Sequence, residues 1–302
     1  MSHLRKNNWP GIRHIAIAAG LMILGVVNDA SGGADGSLPA ITNLLQLNQT
    51  VNSGQAFVRS LNLEVTVWWS SEAEGRVIVH DDSGAAQLEL DLPCPMPHQG
   101  DRVSLTGNCL AVKTRDVIRL SGVPVVDNDG LHVATEQSGS IYLKAGWQPI
   151  RVAWFNRTDK YALEVDYAGP DLPRQRIPDS ALFRATLDPV NGTTNFVNGL
   201  DYRCCEGLWW SRLPNLDHLD TVKTGVVGNF DLSVKTREEH VGLQFSSYLQ
   251  IAREGVYTFY AKSDDGSRLF IGDSSLHVNV FGKTTLPSPS RVADDSTVLE
   301  CV

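Results

Sequence analysis

Short runs in which apolar and polar residues alternate follow one another along most of the chain. A period of two is typical of half-buried β-strands, whose successive side chains point to opposite faces. Between residues 61 and 121 such runs are separated by turn residues, and they lie at 63–69, 76–80, 86–91, 103–106, 110–113 and 117–120. The pattern predicts an all-β protein that begins with a small barrel.

The segment 40–122 is predicted to form this barrel, because five or six short strands in so few residues suit a small closed sheet. Its hairpin 77–84 resembles that of an oligonucleotide/oligosaccharide-binding (OB) fold. Trp68 and Trp69 are adjacent, so at strand spacing we expect at least one indole to face the core. We therefore interpret the unit as a scaffold and place neither tryptophan in a site.

Two adjacent carboxylates and a glycine, Asp264-Asp265-Gly266, lie between the strand-like runs 255–260 and 269–271. The pair is predicted to occupy a hairpin tip. Adjacent carboxylates repel each other unless a cation or donors neutralise them, and Ca²⁺ takes carboxylate and carbonyl oxygens at about 2.3–2.6 Å. The motif is a candidate calcium site. The alternative is a solvated turn, because turns favour Asp and Gly for local reasons.

The surroundings of this motif resemble the first half of a protective-antigen-type domain. The resemblance rests on Ser263-Asp264-Asp265-Gly266-Ser267-Arg268-Leu269 and on residues 199–203, 206–209, 213–214, 223–225 and 255–259. Earlier in the chain, Val125-Val126-Asp127-Asn128-Asp129-Gly130-Leu131-His132 and residues 143–146, 149–152 and 177–178 resemble the second half of the same domain. The two halves therefore stand in reversed order.

The resemblance implies a β-sandwich of the kind found in secreted glycosidases, adhesins and toxins. In the sugar-binding members an Asp-Asp pair joined by a cis peptide chelates Ca²⁺, and an Asn on a second loop completes the site. The matching residues here are Asp264, Asp265 and Asn156, which follows the strand-like run 150–155. Backbone carbonyls near Thr158 and Lys160 would be the remaining protein ligands.

These motifs divide the rest of the chain into four segments. We expect 123–183 to be the second half of the sandwich, 184–198 a linker, 199–282 the first half and 283–302 a loose tail. Half a sandwich cannot bury its apolar face alone, so the halves either form one circularly permuted domain or pair with another molecule. We favour the first solution, with Phe155 and Phe259 in one core or at its edge.

Residues 1–34 are predicted to be a secretory signal peptide, because basic residues precede the apolar run 15–27 and small residues follow it. Thirteen residues are fewer than the about 17–25 of a membrane helix, although an uncleaved anchor is the alternative. We expect a secreted or cell-surface protein with no membrane span after cleavage. Outside the cell Cys94 and Cys109 could pair, whereas Cys204 and Cys205 are expected to be free buried thiols.

A net charge of −8 with dispersed basic residues argues against a nucleic-acid partner. The run 127–136 has part of an EF-hand pattern, but Val125 stands where its first Asp must be. Asn156-Arg157-Thr158 also matches a glycosylation pattern, and a glycan there would exclude the metal role. We find no catalytic motif.

The sequence thus predicts a non-catalytic, secreted protein that binds glycans with the help of Ca²⁺. The alternative is a structural or protein-interaction module of a larger extracellular assembly. The sequence leaves the sugar and the oligomeric state open.

Overall fold

The computed structural model describes residues 38–51, 56–92, 96–189 and 192–284. The predicted signal peptide 1–34 lies outside the described residues, as do residues 285–302 of the predicted tail. The one α-helix in the described part is α1 (Leu44–Thr50). The strands are β1 (Ala56–Ser71), β2 (Arg76–Asp81), β3 (Gly84–Asp91), β4 (Asp101–Thr114), β5 (Val117–Ser121), β6 (Val126–Asn128), β7 (Thr135–Leu143), β8 (Gly146–Asn156), β9 (Ala162–Gly169), β10 (Leu172–Arg176), β11 (Leu182–Leu187), β12 (Thr194–Asn198), β13 (Leu200–Glu206), β14 (Thr221–Val227), β15 (Val241–Ile251), β16 (Gly255–Asp264), β17 (Ser267–Ile271) and β18 (Leu276–Lys283). The prediction of an all-β protein is confirmed.

The first five strands form a continuous circuit of pairings. Strand β1 pairs with β2, β2 with β3, β3 with β5 in parallel, β5 with β4, and β4 again with β1. Apolar residues at alternate positions of these strands, such as Leu61, Leu63 and Val65 of β1, share one buried cluster with Leu44 and Leu47 of α1. The alternation in the sequence therefore corresponds to the inward face of this sheet.

Trp68 and Trp69 are both partly exposed, at 44% and 42%, so the expectation that one of them faces the core is wrong. A register shift between Val67 and Trp69 interrupts the pairing of β1 with β2. Such a bulge places an extra residue on one strand and breaks the strict alternation of faces. Trp68 instead stacks on His80, with ring centroids 4.2 Å apart.

Strand β18 extends this first sheet by pairing with β4. Leu276 at its start is buried in the cluster of the N-terminal unit. The end of the segment 199–282, which we assigned to the sandwich, therefore joins the preceding unit instead, and Lys283 of the predicted tail belongs to the same strand. The reason is an apolar contact between residues about 170 positions apart, which no local pattern encodes.

Two further sheets enclose a second core. One has the order β10-β9-β16-β7, and the other has the order β12-β11-β15-β8-β17-β6, with β13 and β14 attached through β15. Strands of the segments 123–183 and 199–282 alternate in both sheets: β16 lies between β9 and β7, and β8 lies between β15 and β17. The two segments thus build one sandwich.

Phe259 lies in the core between the two sheets, together with Trp154 and Phe245. Phe155, which we expected in the same core or at its edge, belongs to a separate small cluster with Cys205 and other residues. Because successive residues of β8 point to opposite faces, Trp154 and Phe155 cannot both enter the main core.

The segment 184–198 is not an unstructured linker, because most of it forms the antiparallel hairpin of β11 and β12. Strand β11 pairs with β15, and Phe196 of β12 stacks on Trp147, with ring centroids 4.5 Å apart. The hairpin is held by aromatic contacts to a distant strand. The cluster of turn residues around 188–193 concealed its two short strands in the sequence.

The cysteines in the described residues are free thiols. Cys204 and Cys205 are buried, as expected, and Cys109 is buried as well. Burial raises the pKa of the Cys109 thiol to about 12. Cys94, its suggested partner, lies outside the described residues.

Candidate functional site

The candidate site lies at one end of the sandwich, where β8 ends at Asn156 and β16 ends at Asp264. The prediction that Asp264-Asp265 occupies a hairpin tip is wrong, because β16 and β17 do not pair and belong to different sheets, so the motif lies on the connection between the sheets. The pairing of β8 with β17 brings this connection next to the end of β8, since the amide of Phe155 donates to the carbonyl of Gly266 at 3.0 Å. The structure therefore brings the three residues selected from the sequence to the same group of loops. Their role as metal ligands stays a prediction.

The Asp265 carboxylate is almost buried, with 8% of the residue exposed. Its Oδ2 accepts a hydrogen bond from the amide of Arg157 at 2.9 Å, and its Oδ1 accepts one from the amide of His132 at 3.3 Å. Arg157 directly follows Asn156 in the chain, so this carboxylate and the Asn156 backbone are neighbours. Two loops of different strands thus fix the orientation of Asp265.

Asp264 is joined to Asp265 by a cis peptide bond, the form that the resemblance leads us to expect. Its Oδ2 accepts a hydrogen bond from the amide of Ala134 at 3.1 Å, and its carbonyl accepts one from Trp154 Nε1 at 3.1 Å. Burial and the neighbouring charge of Asp265 raise the pKa of the Asp264 carboxyl above its ordinary value. The pair thus concentrates negative charge that the nearby donors do not fully offset.

Asn156 is fully buried, and its Nδ2 donates to the carbonyl of Glu238 at 2.7 Å. Its Oδ1 accepts no hydrogen bond from any described residue. Leaving a buried acceptor without a partner costs about 1–3 kcal/mol, so such an atom in a folded protein calls for an explanation. An amide oxygen together with two carboxylates would be a donor set that suits a hard cation such as Ca²⁺. Full burial also leaves the side chain no room for a glycan.

Gly266 allows the connection between β16 and β17 to approach the neighbouring loops closely. A Cβ atom at this position would lie 2.6 Å from the amide nitrogen of Gly130 and 2.7 Å from Cε1 of Phe155. Any side chain would therefore push this connection away from the loop after β6 and from the end of β8. The glycine after the two aspartates is required by this packing.

The turn 157–160, which contains the expected carbonyl ligands Thr158 and Lys160, directly follows Asn156. Asp159 in this turn has a φ of 66°, and its amide donates to Oε1 of Glu239 at 3.2 Å. The loop around 238–240 thus supports both the turn and Asn156.

Trp209 is an exposed aromatic residue close to this site. From the sequence it could line a sugar site, but we expected it in the sandwich core, because aromatic residues at strand spacing usually fill a core. It is 67% exposed and has a φ of 60°. The guanidinium of Arg157 lies 5.3 Å from its ring centroid, and its ring contacts that of His240. Arg157 therefore connects the exposed indole with the Asp265 carboxylate. In the sequence, Trp209 belongs to the run 206–209, which is one of the motifs that resemble the protective-antigen-type domain.

Arg268 is a second residue whose role the sequence analysis missed. It is almost fully buried and forms ion pairs with Asp127 at 3.0 Å and with Asp129 at 3.1 Å. Burial opposes its charge, but the two carboxylates outweigh this effect and raise the pKa of Arg268. The carboxylates of the EF-hand-like run are therefore occupied by an arginine, in agreement with our rejection of calcium binding there.

The same ion-pair group is linked to the N-terminal unit through Leu213. Asp129 Oδ1 accepts a hydrogen bond from the amide of Leu213 at 2.5 Å, and the carbonyl of Leu213 accepts one from Arg119 of β5 at 2.6 Å. Asn215 then donates to the carbonyl of Leu90 of β3 at 2.9 Å. The loop around 213–215 thus attaches the N-terminal unit close to the base of the candidate site.

Within the described residues, no group of three or more His, Cys, Asp or Glu side chains is gathered so as to hold a metal ion. The candidate site has two such side chains, and its third predicted ligand is the amide oxygen of Asn156. None of the helices in the described ranges is both long and apolar enough to cross a membrane.

Fold and site define a sandwich-type, all-β protein with an acidic loop site at one end. Residues 198–299 match the PA14 domain family, whose domains are known from carbohydrate-binding and adhesion proteins and occur outside cells. The match covers less than half of the chain, and it includes Asp264 and Asp265 but not Asn156. No curated protein and no solved structure matches the chain.

Proposed function

We propose that this chain is a secreted or cell-surface, non-catalytic protein that binds glycans through one Ca²⁺ held by Asp264, Asp265 and Asn156. The observation that carries the proposal is the buried Asn156 Oδ1 without a partner in the described residues, on the residue next to Arg157, whose amide donates to Asp265. When bound, Ca²⁺ would neutralise the two carboxylates and offer coordination positions to sugar hydroxyl groups. The residues themselves supply the orientation, since Arg157 and His132 already hold Asp265.

The proposal includes a permuted domain. The family match begins at residue 198, yet the strands β6 to β10 lie before it and complete both sheets of the sandwich. We propose that 123–183 supplies the half of the family domain that conventionally follows, and with it Asn156. The circuit of β1 to β5 would be an OB-type scaffold that carries this sandwich.

Trp209 supports the choice of a glycan as the partner. An exposed indole beside a coordination site presents an apolar face against which the C–H groups of a sugar ring can pack. Arg157 steadies this indole from the side of Asp265. A ligand with both hydroxyl groups and apolar ring faces would fit this combination.

The test is glycan-array binding and thermal unfolding in millimolar Ca²⁺ and in chelator, with wild type and Asp265→Ala. We expect wild type to bind glycans and to gain several degrees in Tm with Ca²⁺, because a ligand at a hundred times its Kd stabilises by about 2.7 kcal/mol. Asp265→Ala should lose the Ca²⁺-induced gain in Tm and the Ca²⁺-dependent part of glycan binding.

Asp82→Ala is the matched control, because Asp82 belongs to another Asp-Asp pair on an exposed hairpin tip of the N-terminal unit. It should behave as wild type. A folded wild-type protein with the same Tm in Ca²⁺ and in chelator, and with no Ca²⁺-dependent glycan binding, would instead support the structural or interaction module.

A further inference from the structure

A groove lies on the outer face of the larger sheet of the sandwich, away from the candidate calcium site. Its floor is formed by β15, β8 and β17, and the turn 272–275 contributes to its rim. Its volume is about 400 Å³, within the about 300–1,000 Å³ of small-molecule sites. Arg151 in its floor precedes Asn156 by five residues along β8, so about 16 Å of strand separates groove and site.

The polar groups of the groove are held in place by contacts below its surface. Nε2 of the buried Gln244 donates to Asp217 Oδ1 at 2.8 Å, and Nη1 of Arg151 donates to Asp217 Oδ2 at 3.0 Å. The guanidinium of Arg151 also lies 4.3 Å from the ring centroid of Phe270. Gln244 Oε1 and the other nitrogens of Arg151 form no hydrogen bond with any described residue, so they are available to a ligand.

The charged side chains that line the groove are Arg151, Arg184, Asp201 and Asp273, so its lining carries no net charge. Arg184 pairs with Asp201 at 2.8 Å, and Arg151 pairs with Asp217, which Arg203 also contacts at 3.4 Å. A lining with no net charge favours a neutral ligand with hydroxyl groups. Tyr248 adds a ring and a hydroxyl group that has no hydrogen-bond partner among the described residues.

We propose that this groove is a second binding site, which takes a neutral saccharide without Ca²⁺. The groove has hydrogen-bond donors and acceptors in fixed positions on a sheet, which match the hydroxyl groups of a sugar. The half-buried rings of Phe270 and Tyr248 lie next to them and match the apolar faces of a sugar ring. The site does not depend on the proposed calcium site. A chain with both sites would hold a polysaccharide at two points and gain avidity.

The experiment uses Ser246, an exposed residue of β15 that lines the groove. A Ser246→Trp side chain would fill the groove without removing a core contact. The probes are neutral oligosaccharides, with maltose, cellobiose and lactose measured by calorimetry and a neutral glycan array as the wider set, all in chelator. We expect binding by wild type and Asp265→Ala, and at least a tenfold loss of affinity in Ser246→Trp.

Ser138→Trp is the matched control, because Ser138 is an exposed serine on β7 of the other sheet. It should bind as wild type does. A second variant, Tyr248→Phe, removes only a hydroxyl group and should weaken binding severalfold, with Tyr142→Phe as its exposed control. Absence of any saccharide binding in chelator, or equal binding by Ser246→Trp and Ser138→Trp, would overturn the proposal. Neither result bears on the Ca²⁺-dependent Tm shift, so the two sites fail independently.

Discussion

Replacement of Asn156 by leucine tests whether the Asn156 side-chain oxygen is a ligand of the proposed calcium site. Leucine has a similar size and shape but lacks both the amide oxygen and the amide nitrogen. The substitution therefore removes the unpartnered Oδ1 and also the hydrogen bond from Nδ2 to the Glu238 carbonyl. The cation would lose one of its three side-chain ligands.

The magnitudes follow from these two changes. Relief of the buried, unpartnered oxygen should contribute about 1–3 kcal/mol in favour of the variant, while the lost hydrogen bond should cost about 0.5–1.5 kcal/mol. In chelator the free energy of unfolding of the variant should therefore lie between about 0.5 kcal/mol below and about 2.5 kcal/mol above that of wild type. In Ca²⁺ at a hundred times its Kd, wild type should gain about 2.7 kcal/mol and the variant almost nothing.

The assay is urea unfolding in Ca²⁺ and in chelator, followed by tryptophan fluorescence. Asn215→Leu is the matched control, because Asn215 is also buried, donates from Nδ2 to a backbone carbonyl and has an Oδ1 without a partner in the described residues. It lies at the junction with the N-terminal unit and should keep the full response to Ca²⁺. If Asn156→Leu kept that response, or lost more than about 3 kcal/mol in chelator, the assignment of Oδ1 as a ligand would be refuted.

Three further predictions concern other parts of the molecule. Arg268→Met should destabilise the protein by about 3–5 kcal/mol in chemical unfolding, because it leaves two carboxylates in the interior without their partner. The control Arg174→Met removes an exposed ion-pair group and should cost at most about 1 kcal/mol. Equal effects of the two substitutions would contradict the role of burial. Burial alone would raise the pKa of Asp81, but hydrogen bonds from Ser83, Leu44 and Gly84 lower it. The ionised Asp81 carboxylate therefore stabilises the folded protein above the pKa that it has in the unfolded chain. This contribution is lost as the pH falls through the lower pKa of the folded state. Asp81→Asn should accordingly show a shallower loss of stability in acid than wild type, measured by unfolding between about pH 2 and 6, and identical profiles would count against this contribution. Trp209→Ala should weaken Ca²⁺-dependent glycan binding about tenfold, or about 1.4 kcal/mol, while the Ca²⁺-induced Tm shift stays unchanged; loss of both would assign Trp209 to the metal site instead.

Strands and turns of this protein could be predicted because their signals are local. In β16 the buried residues are Tyr257, Phe259, Ala261 and Ser263, as the alternation in the sequence indicates. The prediction failed at Trp68 and Trp69, where a bulge interrupts the pairing, and in 184–198, where turn residues outnumber the residues of two short strands. In both cases the deciding contact is made with another strand.

The candidate site could also be predicted only in part from the sequence. The residue types and the Asp264-Asp265-Gly266 motif could be selected from the sequence with the help of the resemblance. Neither could reveal that Asn156 Oδ1 lacks a partner, that Arg268 neutralises Asp127 and Asp129, or that Trp209 stands beside Arg157. These properties depend on which loops meet, and that is set by pairings between β8, β15 and β17.

The amino-acid sequence by itself therefore determined the all-β class, the positions of most strands and the acidic Asp264-Asp265-Gly266 connection between two of them, since each follows from residues that are neighbours in the chain. Only the tertiary structure decided that 123–183 and 199–282 interleave in one sandwich, that β18 returns to the first sheet, and which polar atoms are buried. The physical reason is that many strands are equally suitable partners by local pattern. Their order is chosen by the burial of all apolar faces together, and the environment of each polar atom follows from that choice.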